Sequence, residues 1–270
     1  MTMTAGPWVA RRAVDEASAV ARSGQPDAFL LHWAERELRR ALGRSPLLDG
    51  RPYEIFGQGS RVNGTYIEQS SDIDLVLMLK APLESGWEEF RDDVLAVLGE
   101  SYHVRMGRRC VNVDDPDSLF GEMVDILVAT EYRLAGEQGV FFRDQQGRAI
   151  VNFPKQHRRN GDAKDRRTGG RFKEVVRAVK RVRKLAERER MLAEGTAPSY
   201  LLECLLYNVP DDVYRTPTFG EAYRGALGWL RRSPLDDLPC QNGINRLFGP
   251  RPDQWEAGTA GTIVDVLHEI

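Results

Sequence analysis

The apolar segment DIDLVLML, residues 72–79, constrains the fold of this chain more than any other feature. A nearly continuous apolar run of this length suits a central strand that is covered on both faces of a sheet. Its longest aliphatic part, residues 75–79, is far too short to span a bilayer, which takes about 20 residues. Because side chains alternate along a strand, Asp72 and Asp74 point to the same face. The sequence therefore predicts a sheet that carries two neighbouring carboxylates.

Shorter strands and amphipathic helices surround this central strand along the chain. Helices are predicted at 27–42 and 87–98, and further strands at 53–56, 110–113 and 123–128, with a turn at 114–118 and a hairpin over 140–151. After Phe153 the period changes, and helices are predicted at 172–191, 199–207, 220–230 and 254–270. We therefore expect an α+β fold of two lobes: a mixed-sheet lobe with an N-terminal helix over 1–153, and a helical lobe over 154–270 that closes a ligand cleft.

Composition excludes several classes of protein. With 41% hydrophobic and 29% charged residues among 270, the chain is not disordered, and a formal net charge of −2 excludes a globally basic protein. Cys110, Cys204 and Cys240 are widely spaced and form neither a disulfide framework nor a CxxC metal pair. The first twenty residues lack an apolar core ahead of a cleavage site, so we expect a cytoplasmic chain with no membrane partner.

One segment departs from this nearly neutral average. Between residues 155 and 190 the chain carries 15 Lys/Arg against 5 Asp/Glu, and the predicted helix within it has valines on one side and basic residues opposite. Two interpretations are open, a solvated helix face or an anion site for nucleotide phosphates or a nucleic-acid backbone. Charge alone does not separate them.

The glycine-rich turn before the central strand and a third acid after it complete a candidate site. Gly59 and Ser60 follow a predicted strand and precede a predicted helix, where backbone amides and a hydroxyl can hold the terminal phosphates of a nucleotide. The carboxylates of Asp72 and Asp74 repel each other unless a hard cation such as Mg²⁺ lies between them. Asp125 lies in the apolar segment MVDILV, where an unpaired carboxylate is costly.

Three convergent acids beside a phosphate-binding turn are what two-metal phosphoryl or nucleotidyl transfer requires. Gly64, Thr65 and Ser71 fit the same pattern. The plainer alternative is a capping serine with surface aspartates, and the strand context of the acids favours the metal site.

A glycine–serine pair followed by DxD and a distal aspartate resembles the DNA polymerase β-like nucleotidyltransferase superfamily. Within it the chain is similar to the bacterial cGAS/DncV-like nucleotidyltransferases (CD-NTases), most of all to the CdnE clade, over most of residues 27–210. The stretches that carry this similarity are QGSRVNGTYIEQSSDIDLVL, VDILVA, IVNFPKQHRRNGDAKDRRT, FKEVVRAVKRVRK and PSYLLECLLYNVP. The resemblance implies a bilobal nucleotidyltransferase that joins two nucleoside triphosphates into a cyclic dinucleotide, the alarm signal of an anti-phage (CBASS) system.

The resemblance also implies roles for single residues. Asp72, Asp74 and Asp125 would bind two Mg²⁺ or Mn²⁺ ions, and Asp125 would help to deprotonate the attacking ribose hydroxyl. Gly59 and Ser60 would hold the triphosphate of the donor. The three aspartates are thus the predicted catalytic residues, and Gly59 and Ser60 are predicted to bind the nucleotide.

Three residues of the helical lobe resemble the family's further nucleotide contacts. Lys180 and Ser199 correspond to a lysine and a serine that grip the outer phosphates, and Tyr200 to an aromatic residue that stacks on the donor base. Each has an alternative: Lys180 has several basic neighbours, Ser199 suits a helix N-cap, and Tyr200 suits the core.

Asn152 lies where we expect a residue that reads a base edge, because an amide offers both a donor and an acceptor. Asn160 is its rival. In this clade an asparagine in that region is associated with uracil-containing products, which implies cyclic UMP-AMP or cyclic di-UMP. The implied substrates are ATP and UTP ahead of GTP and CTP, and the implied partner is a downstream effector of the product. We expect a monomer with no stable nucleic-acid partner.

Two other functions are open on the sequence alone. The same fold could transfer nucleotides to a tRNA 3′ end or a protein, as some toxins do, with the basic block binding RNA. A silent nucleotide- or RNA-binding module is disfavoured because buried carboxylates without a metal would destabilise the fold. A zinc site at His157 is rejected because no second histidine or cysteine stands at ligand spacing.

Overall fold

Two compact units make up the described part of the chain. The computed structural model describes residues 28–67, 72–82, 86–113 and 124–270. The sheet unit holds the described residues of 28–63 and 72–155, and the helical unit holds 64–67 and 156–270. Residues 64–67 thus belong to the helical unit, although they lie early in the chain. Asp27, Ser71 and the predicted turn at 114–118 lie outside the described residues.

Seven strands of the described residues form one mixed sheet in the sheet unit. The strands are β1 (Tyr53–Gln58), β2 (Ile73–Pro82), β3 (Val104–Met106), β4 (Val111–Val113), β5 (Val124–Leu134), β6 (Glu137–Arg143) and β7 (Ala149–Asn152). Their order is β1-β2-β5-β4-β3, with β6 paired to β5 and β7 to β6. Only β2 and β5 pair in parallel among these strands.

The central strand β2 is covered on both faces, as predicted. Ile73, Leu75 and Leu77 belong to one apolar cluster, and Val76 and Met78 belong to the other, and each of the five is 0% exposed. Helices α1 (Ala28–Leu42) and α3 (Trp87–Gly99) contribute to the first cluster, while the five-residue helix α2 (Gly59–Asn63) directly follows β1. The continuous apolar sequence of β2 is therefore explained by the burial of both faces of this strand.

The helical unit packs around its own apolar core. Its helices are α4 (Pro154–Arg167), α5 (Arg171–Arg188), α6 (Ser199–Asn208), α7 (Asp211–Tyr214), α8 (Phe219–Arg232) and α9 (Ala257–Glu269). The valines of α5 are buried as predicted. Among the described helices, none combines the length and the apolar character that a membrane crossing requires.

Helix α4 is the main element that the sequence analysis missed. Its buried residues are Gln156, His157, Gly161 and Lys164, so the face that packs inward has no large apolar side chain. Hydrophobic periodicity, which found the other long helices, has no signal on such a face. The three-residue strand β3 was missed because it is too short to show an alternation.

Candidate active site in the sheet unit

Gly59 lets the DxD strand approach the start of helix α2. Its backbone has φ 74°, a left-handed value that glycine adopts without strain. A Cβ at this position would overlap the carboxyl group of Asp74. Two independent constraints therefore require glycine here, and they place the Asp74 carboxylate directly against the turn that holds Gly59. Ser60 follows in the first turn of α2 and is half-buried.

A row of polar residues crosses the sheet at this level. Gln58 on β1 pairs with Asp74 on β2, and Asp74 pairs with Asp125 on β5. Asp125 pairs in turn with Asn112 on β4, which pairs with Arg105 on β3. Residues directly opposite each other on adjacent strands share a face of the sheet. We call these five residues the polar row, and its two acids lie side by side at its centre.

The electrostatic environment of Asp125 is unfavourable to its negative charge. Burial raises the pKa of this carboxyl group, and the charge of Asp72 raises it further. A hydrogen bond from Asn112 and the charge of Arg105 oppose that shift without cancelling it. Burial together with the charges of Asp125 and Asp74 also raises the pKa of Cys110 to about 12, which keeps that thiol neutral. A carboxyl group whose pKa is raised in this way, as that of Asp125 is, is a candidate for function.

The structure brings two of the three predicted metal ligands together. Asp74 and Asp125 are register partners, whereas Asp72 precedes the first residue of β2 and is exposed. Among the described residues, no three acidic, histidine or cysteine side chains meet closely enough to hold a metal ion. The predicted three-acid cluster is thus not closed here, because Asp72 stands before the first paired residue of β2.

The two adjacent carboxylates nevertheless fit a hard divalent cation. Mg²⁺ is usually held by one or two carboxylates, with substrate phosphates and water as the remaining ligands. Asp74 and Asp125 supply two such carboxylates on one face of the sheet.

Asn152 ends strand β7, where its side-chain Oδ1 accepts a hydrogen bond of 2.8 Å from the backbone N–H of Phe153. Its rival Asn160 lies on α4 and donates through Nδ2 to the carbonyl oxygen of residue 241 at 2.9 Å. A role in reading a base stays a prediction for both.

Lys180 does not lie on a solvated helix face, which was one of the two interpretations open for the basic segment. It is 1% exposed, and its ammonium group donates to the carbonyl oxygen and hydroxyl of Thr65, both at 3.1 Å, and to the carboxylate of Glu203. An ammonium group has three donors, so all of them are used within the helical unit. A grip on nucleotide phosphates stays a prediction, and it would require this network to exchange partners.

Glu203 is the centre of a buried network that the sequence analysis missed. Besides Lys180, it accepts a 2.6 Å hydrogen bond from the Thr65 hydroxyl and lies 2.8 Å from Nε2 of His157. Burial acts to raise the pKa of Glu203, but Lys180 and His157 outweigh it and hold the pKa well below its ordinary value. The signal was available, since an acid inside the apolar stretch SYLLECLLY is as unusual as Asp125 inside MVDILV.

Ser199 and Tyr200 open helix α6. Pro198 occupies the N-cap position, so the interpretation of Ser199 as an N-cap is wrong. The ring of Tyr200 stacks on His157 and on Trp255, with centroid distances of 5.0 and 5.8 Å. Its stacking partners in this structure are therefore side chains of the chain itself, and stacking on a base stays a prediction.

A family model and the sequences of known proteins point to the same family of enzymes. A family model for the cGAS/DncV-like nucleotidyltransferase C-terminal helical domain matches residues 159–270. The chain is 33% identical to a cyclic UMP-AMP synthase of Rhodothermus marinus over 263 residues, which covers 86% of this chain and 89% of that protein. It is 28% identical to a cyclic dipyrimidine nucleotide synthase CdnE of Legionella pneumophila, covering 80% and 83% respectively.

Solved structures show the same similarity. The structure of the Rhodothermus marinus CdnE c-UMP-AMP synthase with Apcpp and Upnpp superposes with a TM-score of 0.80 at 28% identity, covering 95% of this chain and 94% of that one. The Elizabethkingia meningoseptica CdnE cyclic dinucleotide synthase with GTP and Apcpp gives a TM-score of 0.77 at 21% identity, covering 94% and 96%. The second similarity concerns the fold alone.

Proposed function

This chain belongs to the CdnE-like branch of the cGAS/DncV-like nucleotidyltransferases and is by family a cyclic dinucleotide synthase, and on that premise we propose that it joins ATP and UTP into a uracil-containing product. The family and the α+β, polymerase β-like fold predicted from the sequence are confirmed. The interpretation as a silent binding module is set aside with them.

One observation carries the proposal for uracil. The Rhodothermus marinus relative, named a cyclic UMP-AMP synthase, matches this chain along nearly the full length of both proteins. Asn152 as the reader of the uracil edge is part of the same proposal. Transfer to a tRNA or a protein is the alternative that the experiment below must distinguish.

The chemistry is assigned to the acids of the sheet unit. The proposed ligands of two Mg²⁺ or Mn²⁺ ions are Asp72, Asp74 and Asp125. When bound, these ions would neutralise the phosphates and the departing pyrophosphate. Asp125 is the proposed acceptor of the proton of the attacking ribose hydroxyl. Gly59 and Ser60 are the proposed contacts of the donor triphosphate, and a second round of the same transfer closes the ring.

The biological setting is also part of the proposal. We propose that the product is a second messenger of anti-phage (CBASS) defence that acts on an effector. The enzyme would work as a monomer in the cytoplasm. These statements rest on the family resemblance and the composition given above.

The test supplies purified protein with Mg²⁺ or Mn²⁺ and the four nucleoside triphosphates, labelling one at a time. After phosphatase treatment, thin-layer chromatography should show a resistant product that takes label from both ATP and UTP. The Asp74→Asn variant should not form it. Label from purines alone would overturn the proposal for uracil. Label that moves onto added total RNA, with no resistant product, would favour the tRNA alternative instead.

A further inference from the structure

We propose that Asn112 is a positioning residue for Asp125, holding one oxygen of its carboxylate so that the other faces the cation and the ribose hydroxyl. The inference deepens the proposed function and rests on the role given there to Asp125. Nothing in the sequence motifs singles out Asn112, which stands on the short strand β4 outside every stretch that carries the family resemblance.

The contact is direct and is fixed by the sheet. Nδ2 of Asn112 donates a hydrogen bond to Oδ1 of Asp125. The two residues are register partners of the antiparallel pair β4 and β5, so their side chains leave the same face of the sheet at the shortest lateral spacing. A hydrogen bond to an ionised carboxylate is stronger than one between neutral groups. The amide therefore restrains the rotation of the carboxylate about its side-chain bonds.

Gly107 leaves the space in which the Asn112 amide lies. A Cβ at Gly107 would overlap Oδ1 of Asn112 and would lie 3.1 Å from the carbonyl oxygen of Cys110. The backbone of Gly107 is outside the left-handed region, so space is the reason for glycine at this position. Its N–H donates to the Cys110 carbonyl at 2.9 Å, which closes the turn between β3 and β4. Oδ1 of Asn112 therefore lies close to Gly107, on the side of the amide away from the Nδ2 that donates to Asp125.

Neither near-isostere of asparagine can replace this contact. Aspartate has the same shape but no donor, and it would add a negative charge beside Asp125 and Asp74. Leucine fills the space but donates nothing. Residues that hold a metal ligand from behind typically change metal affinity or activity by about 10–100-fold when they are replaced.

The test measures Mn²⁺ binding directly, by electron paramagnetic resonance of free Mn²⁺ in titrations of the intact protein. Asn112→Ala should weaken Mn²⁺ binding by about 10–100-fold, and Asn112→Leu, which fills the space but donates nothing, should do the same. In synthesis assays, the Mn²⁺ concentration for half-maximal rate should rise in parallel. The KM for the triphosphates at saturating Mn²⁺ should stay within about twofold, a split that a merely structural role would not produce.

Gly107→Ala provides an independent perturbation of the same pair. It should weaken Mn²⁺ binding like Asn112→Ala, and the double variant should be no weaker than Asn112→Ala alone, because no Oδ1 remains to be displaced. Gly99→Ala is the matched control in the same unit, since a Cβ there meets Val104 at an ordinary 3.8 Å. It should leave Mn²⁺ binding unchanged.

Two results would overturn the proposal, and they are distinguishable from each other. Wild-type Mn²⁺ affinity in a folded Asn112→Ala or Asn112→Leu protein refutes the positioning role. Mn²⁺-dependent synthesis by the wild type would still uphold the proposed function. If Asp125→Asn also binds Mn²⁺ like the wild type and no cyclic product forms, the proposed function fails and takes the positioning role with it.

Discussion

Each of the two units has a carboxylate inside an apolar stretch of sequence, and the surrounding side chains shift the pKa values of the two carboxylates in opposite directions. Glu203 of the helical unit is 3% exposed and is contacted by Lys180, Thr65 and His157. Lys180 and His157 outweigh the effect of burial and hold the pKa of Glu203 below its ordinary value. Asp125 of the sheet unit is half-buried, and burial and the charge of Asp72 raise its pKa.

The difference separates an architectural acid from a reactive one. A buried carboxylate whose charge is matched by the chain's own donors is complete, and its removal damages the fold. A carboxylate beside further acids costs stability until a cation arrives from outside. The same sequence signal, an acid in an apolar run, therefore has two meanings that only the neighbouring side chains distinguish.

The largest effect is expected from Asp125→Asn and is on activity. The rate of cyclic product formation should fall by roughly 10²–10⁴-fold, since the proposed proton acceptor is lost. A carboxyl group whose pKa is higher in the folded state destabilises the fold above both values, so the melting temperature should hold or rise. Product chromatography and calorimetry measure the two quantities.

Asp144→Asn in the same unit should affect stability rather than activity, which is the opposite of the result expected for Asp125→Asn. The Asp144 carboxylate accepts hydrogen bonds of 2.8 and 2.6 Å from the guanidinium of Arg148, so it belongs with Glu203 rather than with Asp125. We expect a lower melting temperature and an activity close to that of the wild type. If both variants lost activity and stability together, the distinction between the two kinds of acid would collapse.

The next effect is on the stability of the helical unit. Lys180→Met leaves Glu203 buried without its cation and should cost about 3–5 kcal/mol, read from the midpoint of denaturant unfolding. Adding Glu203→Leu should recover part of the loss, because the uncompensated charge is then gone. Lys184→Met, at a half-exposed position of the same helix, is the control and should change little. An equal loss from both lysines would argue against a buried network.

The smallest effect is a pH dependence in the helical unit. Hydrogen bonds from Arg167 and Lys164 lower the pKa of Asp211 from 3.8 to about 2. A folded pKa below the unfolded one contributes stability above pH 3.8 that is lost as the pH falls towards 2. Asp211→Asn should therefore flatten the acid limb of a stability profile, while Asp212→Asn, next to it and largely exposed, should not. An unchanged acid limb in Asp211→Asn would contradict the shift.

Much of this structure was predictable where apolar periodicity carries the information. The burial of β2 on both faces and the valine face of α5 followed from the sequence. The convergence of Asp74 with Asp125 was also predicted, but their register could not be, because it depends on which strands become neighbours. The predicted face shared by Asp72 and Asp74 stays a prediction, because Asp72 precedes β2. The burial of Lys180 was missed for a related reason, since its partners Thr65 and Glu203 are far away along the chain.

The hydrogen bond between Thr65 and Glu203 joins residues that are 138 positions apart. On a ribosome adding about 5–20 residues per second, residue 65 waits roughly 7–28 seconds before its partner is made. Residues 64–67 therefore leave the ribosome long before the unit to which they belong, and only the finished chain can seat them. A cut near residue 153 would for the same reason yield two incomplete fragments. One would contain residues 64–67, and the other would contain Glu203, which accepts the hydrogen bond from Thr65.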